Sequence, residues 1–126
     1  MEKTEIKLLQ GIDTVIVRVR NIETSKAWYV TKLGLVSLFE NPNLKLVVLD
    51  TNSPTSLTLW QTDQPVVINR ATASYPIFRT PDADALRQEL LSRGIEAGEV
   101  IQDDDVSYFY FYDPDGNILE ACQVHE

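Results

Sequence analysis

Val106-Ser-Tyr-Phe-Tyr-Phe-Tyr-Asp-Pro-Asp-Gly-Asn-Ile-Leu-Glu120 reads as two β-strands joined by a tight loop. The first strand is aromatic and β-branched, and the second runs Ile118-Leu119-Glu120-Ala121-Cys122. Pro114 fixes φ, Gly116 is free to take positive φ, and the Asp and Asn side chains bond nearby backbone. Glu120 is the anomaly. A carboxylate inside an apolar strand costs free energy unless it is paired, hydrogen-bonded or bound to a cation.

Working outward, the same order of elements occurs twice. From Gly11 to Val19 the chain is β-rich, and Asn21 suits the N-cap of a helix. Ile22, Ser25, Tyr29 and Leu33 fall at helical spacing, and Gly34 suits the left-handed end. Leu35–Glu40, Leu44–Asp50 and Ser56–Gln61 read as strands separated by turn residues. The second half offers a strand at Ala73–Arg79, a helix from Pro81-Asp82 to Gly94, and strands at Ile95–Val100, Val106–Tyr112 and Ile118–Gln123. The helix exits Gly34 and Gly94 are 60 residues apart. The expected organisation is one domain over 1–126, with module one at about 11–61 and module two at about 73–123. Each module alone leaves a sheet face uncovered, so the halves must pair.

Composition narrows the function classes. With 126 residues, 44% of them hydrophobic, the chain can bury a core without disulfides, and its one cysteine permits none internally. The 19 acidic residues outnumber 11 basic ones, for a net charge of -8, which argues against a nucleic-acid surface. No apolar run approaches the roughly 18 residues of a membrane span, and no leader pattern opens the chain. A cytoplasmic protein is expected, with Met1–Leu9 as a lead-in to the first strand.

An inward glutamate closing such a hairpin resembles the vicinal oxygen chelate superfamily of glyoxalases, bleomycin-resistance proteins and extradiol dioxygenases. Ile12-Asp13-Thr14-Val15, Arg18-Val19-Arg20-Asn21, Trp28-Tyr29 and Leu33-Gly34-Leu35 agree with it. The resemblance implies an α+β fold in which two βαβββ modules pair into a half-open eight-stranded cup. It also implies four ligand positions, here Thr14, Thr58, Tyr75 and Glu120. Thr14 to Tyr75 spans 61 positions and Thr58 to Glu120 spans 62. Only Glu120 suits a divalent metal, because hydroxyls and a tyrosine with a pKa near ~10 are poor ligands at neutral pH. No metal or other cofactor is therefore expected.

Strand parity places Ile16, Arg18, Trp60, Ile77, Arg79, Ile118 and Cys122 on the same face as those four positions. The expected ligand-binding set is Thr14, Arg18, Thr58, Trp60, Tyr75, Arg79 and Glu120, suited to a small polar or anionic organic molecule. Arg18 or Arg79 pairing with Glu120 is the competing expectation for the arginines. A non-enzymatic binder is favoured. The alternative is a glyoxalase-like lyase or isomerase, or a dioxygenase, using Glu120 as base or metal ligand. Open sheet edges and the apolar Ile6, Leu8 and Leu9 lead to an expected homodimer. His125 reads as part of a solvated tail, and Cys122 as a small buried hydrophobe.

Overall fold

A computed structural model describes residues 7–126; Ile6 and the rest of the lead-in before it lie outside the described residues. Module one runs β1 (Thr14–Val19), α1 (Ile22–Leu33), β2 (Val36–Asn41), β3 (Leu46–Asp50) and β4 (Ser56–Gln61). Module two runs β5 (Ile77–Arg79), α2 (Ala83–Ser92), β6 (Ile101–Gln102), β7 (Val106–Tyr112) and β8 (Ile118–Val124). The strands form two four-stranded sheets, ordered β1-β4-β3-β2 and β5-β8-β7-β6. In each, the first strand lies parallel to the last, and the remaining pairs are antiparallel. The repeat of pattern in the sequence is thus a repeat of topology.

Local chemistry sets the helix ends. The Asn21 side chain accepts the Thr24 N–H at 3.0 Å, and Gly34 closes α1 at φ 73°, where a side chain would be strained. Asp82 caps α2 in the same way, accepting the Ala85 N–H at 3.0 Å. The apolar stripe of α1 lies on β3 and β4, and α2 lies on β7 and β8. Val17, Val19, Leu57 and Leu59 from sheet one, and Phe109, Leu119 and Ala121 from sheet two, are buried against the helices. That burial is the main stabilising term, at about 25 cal/mol per Å² of apolar surface.

Two expected strands differ. Ala73–Arg79 shortens to Ile77–Arg79, because residues before it are drawn into a turn in which the Thr72 and Ala73 N–H groups bond the Asn69 carbonyl. Pro76 then lacks a donor for a ladder. Tyr75 accordingly sits just ahead of β5 rather than within it. Ile95–Val100 forms only a bridge from Ala97 to Phe111, and the short strand begins at Ile101. Arg87 takes the Gly98 carbonyl at 2.7 Å, which diverts one acceptor of that segment to a side chain.

The β7–β8 loop joins the modules. One Asp113 oxygen accepts the Asp115 and Asn117 N–H groups, each at 2.9 Å, and Gly116 turns the chain at φ 82°. The other oxygen accepts the Tyr29 hydroxyl of α1 at 2.7 Å. Asn117 donates to the Arg18 carbonyl at 3.0 Å, and Asp115 meets Arg20 and Ser25. The loop of one module therefore holds the helix and first strand of the other.

Candidate functional site

The register confirms the strand parity. Thr14, Ile16 and Arg18 of β1 stand level with Ser56, Thr58 and Trp60 of β4, and Val48 of β3 continues the Thr58 row to Phe39. In sheet two, Ile77, Glu120 and Tyr110 share one row, and Arg79, Cys122 and Tyr108 the next. All lie on the face turned away from the helices. Gln61, on the other face by parity, instead accepts the Ile22 N–H at the start of α1 at 3.0 Å. Part of this outer face is open: Ile16, Phe39 and Ile77 are each more than half exposed, whereas Val17, Leu57 and Leu59 on the helix side are buried.

The expected site residues fall into separate groups. Thr14 and Thr58 share a hydroxyl–hydroxyl bond of 2.7 Å, and Thr14 also donates to the Ser56 carbonyl at 3.1 Å. Arg18 lies over the Trp60 ring, 4.8 Å from its centroid, and donates to the carbonyls of Trp60 and Gln61 at 3.1 and 3.0 Å. The Trp60 indole N–H bonds the Leu44 carbonyl at 3.0 Å. In module two, the Tyr75 hydroxyl reaches that of Tyr110 at 3.5 Å, their rings edge to face at 5.7 Å. Arg79 is exposed beside Cys122, which is half-buried rather than enclosed. A cleft of about 590 Å³ at the seam between the sheets brings Ile16 and Arg18 to Tyr75 and Ile118.

Glu120 is 6% exposed. Burial raises its pKa above the ordinary value, and a hydrogen bond from Tyr75 offsets part of that shift. Tyr110 is pushed up to about 12, first by its hydroxyl bond to Tyr75, then by burial and by the neighbouring Tyr75 and Glu120 charges. The expected pairing of Glu120 with Arg18 or Arg79 is absent, since none of the ion pairs among the described residues includes any of the three. Arg18 is turned instead onto Trp60 and the strand-end carbonyls, which compete successfully for its planar fork.

The donor set does not fit the divalent metal that such a fold implies. The two threonine hydroxyls are engaged with each other and with a backbone carbonyl, and Tyr75 is engaged with Tyr110. Only one carboxylate remains. Among the described residues no three His, Cys, Asp or Glu side chains gather.

Tyr110 was not among the expected site residues, although alternation of Tyr108, Tyr110 and Tyr112 against Phe109 and Phe111 puts it on the Glu120 face. His125 also differs from expectation. Its Nε2 lies 2.8 Å from the Ser107 hydroxyl, and its backbone N–H bonds the Asp105 carbonyl at 2.8 Å, so the tail is tied to β7. Asp103 to Asp105 form an exposed loop, with Asp103 accepting the Val106 N–H at 2.9 Å.

The model of the Glyoxalase/Bleomycin resistance protein/Dioxygenase superfamily matches residues 11–121. Among solved structures, SMU.1112c is similar at 28% identity and a TM-score of 0.80, over 91% of this chain and 99% of its own. A putative glyoxalase family protein from Bacillus anthracis is 25% identical with a TM-score of 0.78, over 96% of this chain and 100% of its own. TnmS3, an antibiotic binding protein from Streptomyces sp. CB03234, shares the fold at 24% identity and a TM-score of 0.77, over 95% of this chain and 100% of its own. No curated protein sequence matches the chain.

Proposed function

Because the chain belongs to the Glyoxalase/Bleomycin resistance protein/Dioxygenase superfamily, we propose that it binds a small polar organic molecule on the outer face of its sheets, without a catalytic metal. The observation that carries this reading is the character of that face. Apolar Ile16 and Ile77 are more than half exposed there, beside Trp60, Tyr75 and a nearly enclosed Glu120. An exposed apolar surface with a few convergent polar groups is what a ligand site offers. Thr14, Thr58 and Trp60 supply one wall, and Tyr75 and Glu120 the other. Arg18 contributes as a stacked platform, and Arg79, exposed and outside every ion pair among the described residues, is the cation available to an anionic group. That the fold serves an antibiotic-binding protein, TnmS3, supports the reading at the level of scaffold.

A second copy of the chain is the proposed partner. Val36, Phe39, Ile16 and Ile77 together leave more apolar surface on this face than a small ligand covers. Leu8 and Leu9, ahead of β1, are almost wholly exposed as well.

The raised Glu120 pKa favours one rival reading, a lyase or isomerase in which this carboxylate removes a proton beside a carbonyl. Elemental analysis and mass spectrometry of protein purified without chelator test the metal-free binding reading, and turnover of carbonyl substrates by the metal-free protein, lost on Glu120→Gln, tests the rival. The proposal expects far less than one equivalent of Mn, Fe, Ni or Zn per chain and organic rather than metal adducts. Stoichiometric metal, lost on Glu120→Ala, overturns the metal-free reading and revives an enzyme with Glu120 as metal ligand.

A further inference from the structure

The geometry points to an organic cation, a substituted ammonium group, as the chemical class that docks against Glu120 beside the paired rings of Tyr75 and Tyr110. This rests on the reading of the outer face as a ligand site and names what its module-two wall selects.

Glu120 is more than nine-tenths buried, and no Lys or Arg of the described residues forms an ion pair with it. A buried carboxylate without a countercharge is costly, and a cation supplied from outside relieves that cost. The groups around it suit a cation and not a metal ion. Tyr110 stands level with Glu120 across β7 and β8, Tyr75 packs edge to face on Tyr110, and Tyr108 packs on Tyr110 from the other side at 5.9 Å. Aromatic faces attract soft, weakly hydrated cations, most strongly where water is excluded. The neighbouring rung already shows the preference: the Arg70 guanidinium lies over Tyr112, 3.8 Å from the ring centre. Arg18 cannot serve Glu120, since its guanidinium is spent on Trp60 and two carbonyls.

The test compares choline with 3,3-dimethylbutan-1-ol, its neutral isostere, by NMR titration of the tyrosine ring signals. Choline is expected to shift Tyr75 and Tyr110 saturably, and the isostere to bind at least ten-fold more weakly. Glu120→Gln is expected to lose at least ten-fold for choline and to leave the isostere unchanged. Tyr110→Leu, a second variant should the first fold poorly, is expected to lose choline affinity likewise. Equal binding of the two probes, no choline binding, or undiminished choline binding by Glu120→Gln overturns the inference. Binding of the isostere at these tyrosines without any preference for charge would do so while leaving the ligand site itself standing.

Discussion

At the scale of the residue, Glu120 ties stability to pH. Its folded pKa lies above the ordinary 4.5 because it is buried. The folded chain therefore holds a proton that the unfolded chain releases, and stability falls as pH rises from the ordinary value through the raised one. Denaturation curves across that window should show a shallower slope for Glu120→Gln. The slope should not vanish, because buried Asp113 shifts in the same direction. Equal slopes would mean that Glu120 is solvated. The arginines part company here too. Arg18→Ala removes two hydrogen bonds and a stack on Trp60, for an expected loss of about 1–2 kcal/mol in thermal or chemical melts. Glu120→Gln should not restore it. Arg79→Ala should stay within about 0.5 kcal/mol. The face of these side chains was legible, because period two fixes it; their partners were not. Whether an arginine fork meets a carboxylate, a ring or a strand-end carbonyl depends on rotamers and on chain ends that parity does not describe.

At the scale of the element, the Asp113–Asn117 loop is the hinge between sequence and tertiary structure. Its turn residues announce the hairpin, and the same side chains then reach across to the other module. Tyr29→Phe deletes the 2.7 Å bond to a buried carboxylate. It should cost about 1–3 kcal/mol, read from the denaturation midpoint, and a change within error would show that the loop is satisfied without it. Helix caps and the strands flanking this loop could be read directly, since each has a local signal: Asn21, Asp82, Gly34, or strict alternation. Ala73–Arg79 and Ile95–Val100 could not. Their composition suits strands, but the Asn69 turn, Pro76 and the Arg87–Gly98 bond are settled by what packs nearby. Local propensity yields to tertiary context at such places.

At the scale of the whole molecule, the core between helices and sheets is closed, while Ile16, Phe39 and Ile77 on the outer face stay more than half exposed. Sedimentation at micromolar concentration should therefore give a species near twice the 14.3 kDa chain mass, and a clean monomer would leave the apolar rows of β1 and β2 to a ligand alone. None of the described helices is long and apolar enough to cross a membrane. The repeated module was visible from the sequence because topology follows element order. The ligand was not, because one scaffold carries many sites. The most direct test of the account is a chelator-treated, backbone-resolved NMR titration with a library of small aromatic, anionic and cationic fragments. The account expects saturable shifts concentrated at Thr58, Trp60, Tyr75 and Glu120. Shifts that avoid this face, or that arise only after a divalent metal is added, would contradict it.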